Sequence, residues 1–154
     1  MLKAGDRAPD FSNPDADMNV VELSQFRGKN LVLYFYMRDD TPGCTAEAIE
    51  FSELENDFAR LGTSVLGMSR DDCIKHGEFR DKHGISVRLL ADKDQAACAA
   101  YGVLQDKEVD GVMRKSMVRS TFIIDKQGVI RHALYGVSSR GHAAEVLQLV
   151  KELN

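Results

Sequence analysis

Six apolar or aromatic residues stand in succession at Leu31-Val32-Leu33-Tyr34-Phe35-Tyr36, bounded on both sides by polar turn formers. A run this short, without polar alternation, predicts a strand buried on both faces of a sheet covered by helices. From Thr45 to about Arg60 the spacing changes: Phe51, Leu54, Phe58 and Leu61 fall three or four apart, with acidic residues between them. That period predicts an amphipathic helix stopped at Gly62. The alternation then repeats. Residues 64–69 read as a second buried strand, and Asp71 or Asp72 as the cap of a helix that reaches His83 and ends at Gly84. Residues 87–90 read as a third strand, and Asp92 as the cap of a short helix over 94–101 that stops at Gly102. Strand and helix in alternation predict an α/β layer fold with parallel connections.

The two ends differ from this middle. Turn formers around Gly5 and over 13–17, followed by Val20-Val21 and Leu23, predict an N-terminal hairpin or lead-in, and residues 24–30 a one-turn helix or a turn. Residues 105–116 are polar and contain Gly111, so they read as an exposed excursion. Residues 117–125 and 129–135 are strand runs joined by Lys126-Gln127-Gly128, a glycine-containing hairpin turn that makes this side of the sheet antiparallel. A last helix, capped by Ser138 or Ser139, runs through Leu153 with Val146, Leu149, Val150 and Leu153 as its apolar stripe. The expected whole is one α/β domain over residues 1–154, a central mixed sheet flanked by helices with an N-terminal hairpin extension.

Composition narrows the function classes. A chain of 154 residues can bury a sizeable core without help from disulfides or metals. Its formal net charge of -4 offers no general attraction to nucleic acid or to anionic membranes. The stretch Met1–Val20 has no apolar core of the kind a secretory signal needs, and no run approaches a membrane span, so the cytoplasm is the expected compartment. Three cysteines, Cys44, Cys73 and Cys98, are too few for a disulfide scaffold and include no Cys-x-x-Cys pair. His76, His83, His132 and His142 fit no zinc spacing and read as surface or capping residues, and Asp39-Asp40 and Asp71-Asp72 as turn and cap residues. No phosphate-binding glycine loop of recognised form is present, so no cofactor or metal is expected.

One cysteine has a distinctive setting. Pro42-Gly43 forms a turn between the first strand and the first long helix, which puts Cys44 in the opening turn of that helix. Unpaired backbone N–H groups and the positive end of the helix dipole favour an anion there. The thiolate is the nucleophilic form of cysteine, so this position suits a reactive thiol, and a neighbouring cation would strengthen the effect. Cys98, among alanines, reads as a core residue.

The stretch Asp39-Asp40-Thr41-Pro42-Gly43-Cys44-Thr45-Ala46-Glu47 resembles the active-site segment of the bacterioferritin comigratory, or Q-type, peroxiredoxins. The resemblance extends to Gly5-Asp6-Arg7-Ala8-Pro9-Asp10-Phe11, Leu66-Gly67-Met68-Ser69-Arg70-Asp71, Arg119-Ser120-Thr121-Phe122-Ile123-Ile124-Asp125 and Gly141-His142-Ala143. It implies a thioredoxin-like fold and thiol-dependent reduction of hydrogen peroxide or organic hydroperoxides by a protein often monomeric. By the same resemblance Cys44 is the peroxidatic cysteine, which becomes a sulfenic acid. Thr41 offers a hydroxyl to thiolate and peroxide, and Arg119 stabilises the thiolate and polarises the O–O bond. Glu47 holds that arginine. The alternative class is a peroxiredoxin-fold protein that senses oxidants or binds a redox partner with little turnover.

Two positions depart from the family pattern. Met37 stands where a shielding proline is usual, seven residues before Cys44; it frees the backbone, and the pocket is either loosened or filled by the flexible thioether. The positions of the usual resolving cysteines are Ile49 and Arg80, neither of them a thiol. Cys73, two helical turns before Arg80, is the candidate substitute. The other route is a one-cysteine cycle in which a thioredoxin-like protein or a low-molecular-weight thiol reduces the sulfenic acid directly.

Overall fold

The computed structural model describes residues 1–153. Its elements in order are β1 (Ser12–Pro14), β2 (Val20–Glu22), a 3-10 turn (Leu23–Phe26), β3 (Asn30–Phe35), α1 (Pro42–Arg60), β4 (Thr63–Ser69), α2 (Cys73–His83), β5 (Arg88–Ala91), α3 (Ala96–Ala100), β6 (Leu104–Val109), β7 (Val112–Met117), β8 (Ser120–Ile124), β9 (Ile130–Tyr135) and α4 (His142–Lys151). The main sheet has the order β5-β4-β3-β8-β9. β3, β4 and β5 run parallel, while β8 and β9 are antiparallel to their neighbours. The mixed sheet and the small antiparallel β1-β2 hairpin are those expected. Among the described residues no helix is long and apolar enough to cross a membrane.

The apolar run at β3 is continuous because both of its faces are covered. Leu31, Leu33 and Phe35 join one core with Leu66, Met68, Leu90, Phe122 and the α3 residues Ala97 and Cys98. Val32, Tyr34 and Tyr36 point the other way, into a second core with Ala48, Phe51 and Phe58 of α1, Phe79 of α2 and Val146 and Val150 of α4. The period-2 alternation of a strand thus divides six consecutive hydrophobes between two layers.

Four local expectations change. Residues 105–116 fall largely within a hairpin, β6-β7, whose Asp110-Gly111 turn has φ of 52° and 78° at its two central positions. Such a turn matches strand twist, and its solvated faces carry no apolar period to announce strands. The run 117–125 is broken at Val118-Arg119, since β7 ends at Met117 and β8 begins at Ser120. The last helix begins after Gly141, not at Ser138 or Ser139. Asp92 does act on α3, but from three residues outside its cap position: its carboxylate accepts from the N–H groups of Ala97 and Cys98 at 3.1 and 2.7 Å.

A close approach of β3 and β4 sets one strict packing demand. A Cβ at Gly67 would lie 2.7 Å from Cζ of Tyr34, whose buried ring stacks on Phe51 at 4.6 Å between centroids. Gly67→Ala is expected to destabilise the protein by about 2 kcal/mol, a fall in melting temperature of roughly 5 °C by calorimetry. Tyr34→Phe is expected to be neutral or stabilising by up to about 1 kcal/mol, because the Tyr34 hydroxyl is buried without a hydrogen-bond partner among the described residues.

Candidate active site

Pro42 and Gly43 do open a helix. Thr41 is the N-cap, with extended φ and ψ of -92° and 154°, and Pro42 takes the first helical position, where its missing N–H costs nothing. Cys44 is the third residue of α1 and only 2% exposed. The helix leaves the carboxyl end of β3, and β8, antiparallel to β3, begins at that same edge, with Ser120 paired to Phe35. Arg119, one residue earlier, therefore arrives beside Cys44 although 75 positions separate them. Its Nη2 lies 3.3 Å from Cys44 Sγ and its Nη1 donates to Glu47 Oε1 at 2.7 Å. The main chain of Arg119 is held in turn: its carbonyl accepts from the N–H groups of Gly136 and Val137 at 2.9 and 3.0 Å.

These three side chains form a line in a largely dry setting. Glu47, one turn after Cys44 on the same face of α1, is fully buried. Burial pushes its carboxyl up to about 7, against the pull of Arg119. One carboxyl oxygen, Oε2, has no hydrogen-bond partner among the described residues. For Arg119 burial works against the charge, but the Glu47 carboxylate and the Cys44 sulfur outweigh it and hold the guanidinium charged. Gly43 leaves the room this requires: a Cβ there would stand 3.2 Å from Ser139 Oγ and 3.3 Å from Arg119 Nη2. Ser139, read from sequence as a helix cap, thus belongs to the wall of this site.

The remaining candidates are placed differently. The Thr41 hydroxyl donates to the carbonyl of Arg38 at 2.9 Å, so it borders the site without contacting the thiol in this arrangement. Met37 is 37% exposed, so much of this residue is open to solvent. Cys73 begins α2 and lines a separate cavity of about 450 Å³ with Ser12, Pro14, Met18 and Ile74; Thr41, Cys44 and Arg119 do not line it. Burial, with Asp15 and Asp72 nearby, raises the Cys73 pKa and disfavours its thiolate. Cys98 is fully buried, as its alanine-rich context suggests. His76 and His142, expected at the surface or at caps, are instead 0% and 3% exposed. His142 opens α4 and its Nε2 meets Thr121 Oγ1 at 2.8 Å, while burial lowers its pKa. Isolated histidines carry no periodic signal that separates core from surface.

Known proteins are similar to this chain along nearly all of its length. The AhpC/TSA family model matches residues 4–133. The chain belongs to that family, in its Bcp or Q-type peroxiredoxin branch. It is 37% identical to peroxiredoxin Bcp of Bacillus subtilis over 153 residues, which span 99% of this chain and 98% of the relative. Among solved structures it resembles peroxiredoxin Q of Xanthomonas campestris, with a TM-score of 0.93 at 34% identity, covering 98% of each chain. It also resembles a bacterioferritin comigratory protein of the same organism, solved in connection with its alkyl peroxide reduction activity, with a TM-score of 0.91 at 34% identity over 93% of this chain and 91% of that one. The fold is the thioredoxin-like one of peroxiredoxins, and the protein is a thiol-dependent peroxidase.

The buried carboxyl of this peroxiredoxin has a measurable signature. A Glu47 pKa near 7 in the folded state lies above its ordinary value of 4.5, so the folded form binds this proton more tightly than the unfolded chain. The stability contribution is fully present below the lower value and is lost as pH rises through the upper one. Against Glu47→Gln, the parent is expected to lose on the order of 2–3 kcal/mol of relative stability between pH 4.5 and pH 8 in urea titrations. A relative gain over that range would mean that Arg119 dominates and the carboxyl is lowered.

Proposed function

We propose that Cys44 is the peroxidatic nucleophile, and that Arg119, Thr41 and Glu47 form its immediate support within a single domain over 1–154. The observation that carries this reading is the Arg119 guanidinium 3.3 Å from Cys44 Sγ. The thiolate attacks the outer oxygen of hydrogen peroxide or an alkyl hydroperoxide; the S–O bond forms, the O–O bond breaks, and water or alcohol leaves once its oxygen has taken a proton. The product at Cys44 is a sulfenic acid. Arg119 stabilises both the attacking thiolate and the negative charge that develops on the peroxide oxygens, an effect strengthened by exclusion of water. Glu47 restrains Arg119 from behind. Thr41 supplies a hydroxyl to the bound peroxide by exchanging its bond to Arg38.

The regeneration route best supported is the one-cysteine route. Cys73 opens into a different cavity and is disfavoured as a thiolate. An external thiol then attacks the sulfenic sulfur, releases water and forms a mixed disulfide, which a second thiol reduces to restore Cys44. A thioredoxin-like protein or a low-molecular-weight thiol fits this role. The cytoplasm, where such donors keep free thiols reduced, is the matching compartment. The monomer that the family resemblance implies is the assembly we propose.

Cys44→Ser is expected to abolish peroxide consumption measured with a dithiol donor, whereas Cys98→Ser retains it if the fold survives. After one equivalent of peroxide without donor, peptide mass spectrometry is expected to find oxygen added at Cys44. A Cys44–Cys73 disulfide as the main product would overturn the one-cysteine route while leaving the peroxidase assignment intact.

A further inference from the structure

The segment 37–41, between β3 and α1, has little reason of its own to hold still. It contains no proline, Met37 and Arg38 are exposed, and Asp40 adopts a left-handed φ of 62°, a strained conformation for a residue with a side chain. Yet this segment carries the N-cap of α1 and so sets where Cys44 stands against Arg119. Between Tyr36 and Cys44, Asp39 alone is buried.

What meets Asp39 is a built polar site inside the second core. Its Oδ1 accepts from the Tyr36 hydroxyl at 2.5 Å, and its Oδ2 lies 2.6 Å from Nδ1 of His76 on α2. The other ring nitrogen of His76, Nε2, donates to the Leu90 carbonyl on β5 at 2.9 Å. One proton therefore lies between Nδ1 and Oδ2, and both ring nitrogens are engaged. Burial and the Asp39 charge keep Tyr36 in its hydroxyl form, able to donate. The main-chain N–H of Asp39 donates to Asp71 Oδ2 at 2.8 Å, and the same oxygen accepts from Ser69 Oγ at 2.8 Å. Asp39, Asp71 and His76 bring oxygen and nitrogen atoms within 4.8 Å of one another, but hydrogen bonds already account for those atoms without a metal ion. On the outside, Asp40 receives Lys82 Nζ and His83 Nε2, each at 2.7 Å, which ties its strained backbone to the same helix.

We propose that Asp39 and His76 form a buried latch that positions the peroxidatic loop, so that His76, remote from the sulfur in the chain and on another helix, is a positioning residue for peroxide reduction. The latch fastens the segment before Cys44 to α2 and, through Leu90, to β5. Buried polar groups of this kind are costly when a partner is lost, so the alternatives to the closed arrangement are few. Its effect on chemistry passes through geometry: Cys44 Sγ and Arg119 Nη2 must address the same peroxide, and a displacement of about 1 Å can cost as much as a hundredfold in rate.

This inference rests on the peroxidatic assignment of Cys44, and two reactions at that thiol separate the two claims. Peroxide requires the thiolate together with Arg119 and the loop in register; iodoacetamide requires only an accessible thiolate. In Asp39→Ala and His76→Ala, the single-turnover rate with hydrogen peroxide, read at Cys44 by rapid quench and peptide mass spectrometry, is expected to fall about tenfold or more. Alkylation of Cys44 by iodoacetamide is expected to stay level or rise, since a loosened loop exposes the sulfur. Tyr36→Phe, which removes one hydrogen bond and keeps the ring, is expected to lower the peroxide rate about threefold even if the alanine variants fail to fold. Asp39→Asn, which preserves shape and hydrogen bonding to a neutral His76, is expected to restore most of the rate. Peroxide rates within twofold of the parent in the alanine variants or in Tyr36→Phe would overturn the latch. So would a common fall of both reactions in proportion to the unfolded fraction, or an Asp39→Asn variant as slow as Asp39→Ala. A parent whose Cys44 is alkylated but inert to peroxide would refute the peroxidatic assignment and the latch with it.

Discussion

A guanidinium held 3.3 Å from a cysteine sulfur, at the start of a helix and largely out of water, is the contact on which the site depends. In such surroundings the attraction between opposite charges is much stronger than in solvent, and so is the cost of bringing the charges there. Arg119 is 12% exposed at its side chain and Glu47 not at all. Each needs the others. Cys44 without Arg119 is a buried thiol beside a helix terminus, while Arg119 without Glu47 is a cation with one anchor fewer.

The rest of the fold can be understood as what brings that contact about. β3 carries Cys44 into position at its carboxyl end, and the change from parallel to antiparallel pairing on its far side lets β8 begin where β3 finishes. Had β8 run parallel, Arg119 would enter at the opposite edge of the sheet. Ligand sites of α/β sheets favour the carboxyl ends of strands for a similar topological reason. Small residues then permit close approach: Gly43 admits the guanidinium and Ser139, and Gly67 admits the Tyr34 ring beneath α1. The loop that joins β3 to α1 is held by Asp39 from within and by Asp40 from outside.

Much of this was legible in the sequence wherever a physical period or a local rule operated. The six-residue apolar run marked β3, the three-to-four spacing of Phe51, Leu54 and Phe58 marked α1, and Pro42-Gly43 before Cys44 marked the helix start. The glycine stops at Gly62 and Gly84 follow the helices they end, both with φ of 64°. Long-range polar pairing was not legible in the same way. That His76 lies in the core against Asp39, that Ser139 faces Gly43, and that Cys73 opens away from Cys44 are consequences of how helices pack on the sheet. No pattern within a window of ten residues encodes them. The β6-β7 hairpin is a milder case, because Asp110-Gly111 carried a turn signal that its polar flanks obscured. Arg119 lay between: its position was supplied by family resemblance, and its contact by the reversal at β8.

The central claim is that Arg119 and Cys44 act together on peroxide. Its most direct measurement is the single-turnover rate of sulfenic acid formation at Cys44 in Arg119→Met, compared with the parent at the same pH under rapid quench. The expected result is a fall of about a hundredfold or more, the scale seen when one preorganised donor to developing charge is removed, with Cys44 still the oxidised residue. A rate within about threefold of the parent, or oxidation that moves to Cys73, would contradict the account.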